Sequence, residues 1–185
     1  LDTIKENSIQ FVDFRFVDLS GRAHHITLPA TEVDAETFVN GVAFDGSSIA
    51  GFRGIEQSDM VMMPDTESVY VDPFTDHPTL NVMCNIYTPD GERYDRDPRS
   101  IAQKAEEYLQ TTGIGTAAFF APESEFFIFD DVRYESTMNS SYYSVDSEEA
   151  AWNTARKEEG GNLGFKVGVK GGYVPVAPVD SQQDI

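Results

Sequence analysis

The sequence predicts an α+β fold in two parts, and three observations carry that expectation. Apolar runs with a two-residue period follow one another between residues 9 and 87, broken by a single short helical pattern. Across Asp90–Asp97 the order changes to strand, helix, strand, which divides the chain into 1–95 and 96–185. Hydrophobic residues make up 40% of the 185, with 13 Phe and 8 Tyr, so both parts have apolar material for a core.

In chain order, Ile9 to Val17 is rich in Phe and Val, and Asp18-Leu-Ser-Gly21 supplies turn chemistry before a second run from His24 to Leu28. This spacing predicts a β-hairpin. Thr31, with a Thr-x-x-Asp spacing that resembles a capping box, is expected to start a short helix with Phe38 and Val39 inward and Gly41 at its end. Past the Gly- and Ser-rich stretch 45–54, three more strands are expected at Met60–Met63, Ser68–Val71 and Leu80–Tyr87. The last alternates best, with Leu80, Val82, Cys84 and Ile86 on one face. A sheet of about five strands with one helix across it is the simplest compact arrangement for residues 8–90.

Thr88-Pro-Asp-Gly91 reads as a turn. Asp97-Pro98 then sets an N-cap acid and an N1 proline before Ile101, Ala102, Ala105, Tyr108 and Leu109 at helical spacing, and Gly113 closes that helix. Residues 116–129, ending Phe126-Phe-Ile-Phe129, are expected to form the most apolar strand, covered on both faces. From Glu135 to Leu163 the apolar pattern fades into a stretch too long for an ordinary connection, so it is expected to be a functional or mobile loop. Asp180 to Ile185 looks like a capped first helical turn cut short, which suggests a fragment of a longer protein.

The formal net charge is −19, spread over both halves of the chain. Such a balance repels phosphate backbones and anionic head groups, so neither nucleic acid nor membrane is an expected partner, and cations are. Cys84 is the only cysteine, which excludes an intrachain disulfide and a multi-thiolate metal site and fits a reducing cytoplasm. No apolar run approaches the ~20 residues of a membrane helix, and the start lacks a signal-peptide pattern.

Three constellations carry chemistry. Glu123 and Glu125 lie two apart in the expected strand, so both carboxylates fall on one face with Cα atoms about 6.5–7 Å apart. They can reach one shared site for a hard divalent cation such as Mg²⁺ or Mn²⁺. Two solvated acids account for the same spacing, but acids set between Pro122 and the apolar Phe126–Phe129 need a reason for their charge. Second, Phe44-Asp-Gly-Ser-Ser48 with Gln57-Ser-Asp59 is either a plain turn or a small cation or ammonium site, with hydroxyls beside the Asp45 carboxylate. Third, Lys170-Gly-Gly-Tyr173, followed by Pro175 and Pro178, is either a Pro-punctuated loop or a backbone that passes close to a ligand. It is not a phosphate loop, since the strand, loop and helix order is missing. His24, His25 and His77 read as structural or solvated.

Taken together and in order, Phe44-Asp-Gly-Ser-Ser48 with Gln57-Ser-Asp59, Ala121-Pro-Glu-Ser-Glu-Phe126, and Lys170-Gly-Gly-Tyr-Val-Pro-Val-Ala-Pro-Val-Asp-Ser181 resemble the N-terminal part of bacterial-type (class I) glutamine synthetase. The resemblance runs from about Val12 to Ile185. It implies a β-grasp domain followed by the opening of the catalytic α/β domain, with active sites between subunits of a homo-oligomer, a dodecamer of two hexameric rings. By similarity Glu123 would hold the metal near the nucleotide phosphates and Glu125 the metal near glutamate. Asp45 and Ser48 would cross the interface to form an ammonium pocket, which Tyr173 would also line. The implied reaction joins ammonia to glutamate through a γ-glutamyl phosphate, with ATP as co-substrate and Mg²⁺ or Mn²⁺. The remaining metal ligands and the nucleotide loop would lie beyond Ile185, so the 185-residue piece alone is expected to be inactive. The alternative is a non-catalytic, glutamine-synthetase-like subunit or fragment that acts through assembly. Phe52 stands where many relatives have Trp, a tolerated aromatic swap.

Overall fold

The computed structural model describes residues 1–126, 129, 131–146 and 172–176. Contacts divide the chain into two compact units, Leu1–Phe119 and Phe120–Ile185.

In the first unit the elements are α1 (Asp2–Glu6), β1 (Phe11–Val17), β2 (Ala23–Pro29), α2 (Ala35–Asn40), β3 (Val42–Asp45), β4 (Asp59–Pro64), β5 (Tyr70–Val71), β6 (Thr79–Tyr87) and α3 (Pro98–Thr112). The sheet order is β2-β1-β6-β4-β3, with β5 also paired to β6. β1 and β6 run parallel and every other pair is antiparallel. The expected hairpin forms around Asp18, whose carboxylate accepts the N–H groups of Ser20 and Arg22 at 2.8 and 3.0 Å.

The period-two pattern decides which face is covered. Val12, Phe14 and Phe16 of β1, Met60 and Met62 of β4, and Leu80, Val82, Cys84 and Ile86 of β6 are all buried in one cluster. Ile49, Phe52 and Tyr94 close its end, with the Tyr94 hydroxyl donating to the Phe52 carbonyl at 2.6 Å. Phe52 therefore fills a core position. Burial pushes the Cys84 thiol up to about 12. On the opposite face Asp13 is also buried, because Thr27, His25 and Arg15 each donate to its carboxylate at 2.6 Å. Burial alone raises that carboxyl, and the three donors outweigh it and hold it below its ordinary value.

Several expectations are corrected here. Helix α2 is capped by Asp34 and not by Thr31, which lies in a 3₁₀ turn over Ala30–Glu32. The Asp34 carboxylate accepts the Thr37 N–H at 2.9 Å while the Thr37 hydroxyl accepts the Asp34 N–H at 3.2 Å, so the reciprocal box is shifted by three residues. As a result Val39 is 71% exposed and only Phe38 packs on the core. Gly41 does end the helix, at φ 77°, where a Cβ would also collide with Val61 and the Met62 carbonyl. A strand not foreseen, β3, follows at once, so the sheet has six strands, and β5 is only two residues long.

α3 starts and ends as expected, at Asp97 and at Gly113 in the left-handed region. Its apolar stripe does not pack inward: Ile101 is 51% and Tyr108 71% exposed, and Ser100 is the helix's buried residue. Residues 117–126 have no regular secondary structure, against the expected covered strand, and Phe119 and Phe120 are at least 90% exposed. A strand exists only through pairing, and none of the described strands pairs with this segment. In the second unit β7 (Asp131–Ser136) and β8 (Ser141–Asp146) form a hairpin with Tyr134 opposite Tyr143, where the sequence reading placed the start of a loop. The rest of that stretch, and the expected turn at Asp180–Ile185, lie outside the described residues.

Asp97 is 1% exposed and binds two elements at once, accepting the Arg99 N–H at 3.0 Å and the Ile86 N–H at 2.9 Å. Asp97→Ala leaves both amides without that partner and is expected to destabilise the protein by about 2–4 kcal/mol, from a lost N-cap and an orphaned strand N–H. Asp97→Asn, which keeps a carbonyl acceptor, should lose less. Urea unfolding midpoints at constant m-value measure the difference.

Candidate functional site

The Asp45 site grows out of the pairing of β3 with β4. The register sets Asp45 opposite Asp59 at the end of the ladder, and the Gly46 N–H returns to the Ser58 carbonyl at 2.7 Å. The two sequence pieces, Asp45-to-Ser48 and Gln57-Ser-Asp59, therefore lie side by side. A Cβ at Gly46 would run into the buried Met60 side chain and lie 3.1 Å from the Ser58 carbonyl, so the turn closes only with glycine or with Met60 displaced.

Within the turn one Asp45 oxygen accepts the Ser47 N–H at 2.8 Å and the Ser47 hydroxyl at 2.6 Å. The other accepts the Ser48 hydroxyl at 3.2 Å. Three donors on an exposed carboxylate stabilise its charged form, and they hold Asp45 below the usual carboxylate range, Ser47 contributing most. The group stays ionised across the neutral and mildly acidic range. Its contribution to folding is present above the unfolded carboxyl's pKa and fades as pH falls through the lower folded value.

Asp45 and Ser48 border a cavity of about 370 Å³ whose walls include Phe16, His24, Phe44 and Ile49. His24 bonds Asp18 at 2.9 Å and stacks on Phe16 with ring centroids 5.3 Å apart, a structural role as expected. Its place on the wall of the Asp45 cavity was not foreseen. The signal available was its alternation with Ile26 and Leu28 on the inward face of β2.

In the second unit the Tyr173 hydroxyl donates to Glu125 at 2.6 Å, joining two motifs 48 residues apart. That bond raises the pKa of the Tyr173 phenol and keeps it a donor at neutral pH. Gly172 at φ 90° and Val174 at φ 49° flank it, and a β-branched residue in the left-handed region is rare. Glu123 lies two residues before Glu125 on the same exposed segment, which is not a strand, so strand alternation does not fix a shared face for the pair. Both are hard oxygen donors of the kind Mg²⁺ and Mn²⁺ take, and in donor type they fit such an ion. Among the described residues no group of three or more His, Cys, Asp or Glu converges to hold a metal. No helix of the described residues is long and apolar enough to cross a membrane.

Comparison with known proteins gives the family of the chain. Residues 8–89 match the glutamine synthetase β-grasp domain and residues 95–185 the glutamine synthetase catalytic domain. A glutamine synthetase of Vibrio cholerae is 54% identical over all of this chain, which spans 40% of that protein's length. A 3-hydroxylaminophenol mutase of Cupriavidus pinatubonensis is 52% identical over 98% of the chain and 39% of its own length. A cryo-EM structure of Plasmodium falciparum glutamine synthetase superimposes with a TM-score of 0.60 at 26% identity, covering 80% of this chain and 29% of that one. The α+β fold, with a β-grasp sheet ahead of the start of a catalytic domain, agrees with these matches. The two domain matches and the identity over the whole chain make it a member of the glutamine synthetase family.

Proposed function

We propose that the chain is the ammonium-binding and metal-holding N-terminal part of a glutamate–ammonia ligase. The observation that carries this reading is the Asp45 turn: an ionised carboxylate held by three donors, facing Asp59 across a ladder, on the rim of a cavity. Like charges opposite each other on a ladder repel, and a bound cation offsets that repulsion. The mutase relative has the same part of the chain at 52% identity, so identity over this part does not by itself set the reaction. A hydrogen-bonded carboxylate beside hydroxyls suits NH₄⁺, which fits the ligase reading.

In the proposed reaction Asp45 binds NH₄⁺ with help from Ser48. As the exposed turn stands, its lowered pKa makes Asp45 a cation anchor. Closure of the pocket against a neighbouring subunit removes water, raises that pKa and lets Asp45 take one proton from NH₄⁺. The freed ammonia lone pair then attacks the γ-carbonyl of γ-glutamyl phosphate, the C–O bond to phosphate breaks, and glutamine and inorganic phosphate leave. Glu123 and Glu125 would hold the divalent ions, Mg²⁺ or Mn²⁺, which when bound neutralise charge on the transferring phosphoryl group. Tyr173 keeps Glu125 oriented by its hydrogen bond, and by the family resemblance it would line the ammonium pocket. The division into 1–95 and 96–185, the ATP co-substrate, a nucleotide loop beyond Ile185, a cytoplasmic location and a dodecamer of two hexameric rings belong to the same proposal. Residues 1–185 alone are then inactive, since two carboxylates do not complete a two-metal site.

In the intact assembly, Glu125→Gln should weaken Mn²⁺ binding in a direct titration and lower turnover by orders of magnitude. Unchanged metal binding would return the pair to solvated acids. Asp45→Ala should raise the Michaelis constant for ammonium and slow glutamine formation while leaving ATP binding nearly intact. Mixed oligomers of the two variants should recover part of the activity, because some interfaces combine an intact Asp45 with an intact Glu125. No recovery after subunit exchange, confirmed by mass, would mean that Asp45 serves its own chain or only shapes a turn.

A further inference from the structure

The first unit holds a second cleft, apart from the Asp45 turn, where the sign of the charge reverses. Thirteen basic residues serve a chain of net charge −19. Three of them, Arg53, Arg93 and Arg96, line one cavity of about 410 Å³ together with Phe52, Thr88 and Tyr94. They outnumber the two carboxylates on the same wall, Glu92 and Asp95. That volume is in the range of small-molecule sites.

The guanidinium groups are held in advance. Arg53 is half-buried and lies over the Tyr94 ring, 5.1 Å from its centroid, with one nitrogen donating to Gln57 at 3.0 Å. Tyr94 is itself 2% exposed and fixed through its hydroxyl to the Phe52 carbonyl, so the floor under Arg53 is rigid. Arg96 donates to the Gly51 and Phe52 carbonyls at 2.9 and 3.3 Å, through Nη1 in both cases. Arg93 is tied to Glu107 of α3 at 2.9 Å. A guanidinium carries five N–H donors, and the bonds of Arg53 and Arg96 given above use Nη1 alone, so most of each fork remains for a ligand.

We propose that this cleft binds a small dianion, a phosphate or a paired carboxylate, through the Arg53 and Arg96 forks with Arg93 at the rim. A chain this acidic repels anions over most of its surface, so anchored arginines are what a local anion site requires. The proposal is independent of the ligase reading, since none of these residues belongs to the Asp45 turn or to the Glu123–Glu125 segment.

Titration calorimetry of the protein at constant ionic strength, with inorganic phosphate in one arm and succinate in the other, tests it. Saturable one-to-one binding is expected in at least one arm, and the arm that binds names the ligand's chemistry. Arg53→Gln and Arg93→Gln should each weaken it, Arg53→Gln by about tenfold or more, while Lys104→Gln on exposed α3 leaves it unchanged. Arg93 lies at the surface, where its side chain meets Glu107 and Tyr87, so Arg93→Gln is the milder variant for folding, and circular dichroism checks both. No saturable heat in either arm, or equal affinity in the folded arginine variants and the parent, overturns the proposal. Loss of self-association in those variants without any anion binding also overturns it, in favour of a contact between subunits.

Discussion

Between the last turn of β6 and the first of α3 a single carboxylate serves two backbone amides, those of Ile86 and Arg99. Much else hangs on that junction. Arg99, whose amide Asp97 accepts, carries its side chain back to Asn85 of β6 and to Asp65 just past β4. Both β1 and β4 pair with β6, and β3 pairs with β4, so the placing of β6 sets the register of the strands that matter to the site. The Asp45 turn is the far end of this chain of constraints. Its geometry depends on a helix cap more than 50 residues away through ordinary ladder bonds and the filling of one core.

The same sheet keeps two polar systems apart. Its buried face is closed by aromatic contacts, with Phe16 touching Phe44 and Phe52 at centroid distances of 5.0 and 6.0 Å. Its other face carries Asp13, Arg15, Asp72 and Asn81 in one network, in which Arg15 and Asn81 both donate to Asp72. Buried acids are tolerable there because each is surrounded by donors, which is the condition for keeping a charge out of water. Asp45 follows the same rule at the surface, with serine hydroxyls in place of arginine and histidine.

Much of the fold was legible because the local rules agreed with the global one. Leu80 to Ile86 alternate and are buried in alternation, and Asp97-Pro98 caps a helix where such a pair should. Elsewhere two local signals competed. Thr31 and Asp34 each fit the capping spacing, and only Asp34 has Thr37 to return the bond. Val42-Ala-Phe44 is too short to announce a strand and forms one because β4 offers an edge. The apolar stretch after α3 misled for the opposite reason, since composition states what a segment could bury and not whether neighbours arrive to pair with it. For the site, the residue types at 45–48 and 123–125 were readable, as was the order of the motifs. The register that sets Asp59 opposite Asp45, and the bond from Tyr173 to Glu125, are long-range facts that spacing does not contain.

Cys84 sits at the middle of the sheet with no exposed surface and a thiol that is almost wholly protonated at neutral pH. A thiol must become thiolate to react with alkylating reagents or peroxide, so this one is silent to both while the sheet is intact. Since it is the only cysteine of these 185 residues, this stretch in its folded state presents a blank background for thiol labelling. A spin label or fluorophore on a cysteine introduced at a loop would report from that place alone, and the sudden appearance of a second reactive thiol would time the opening of the β-grasp core.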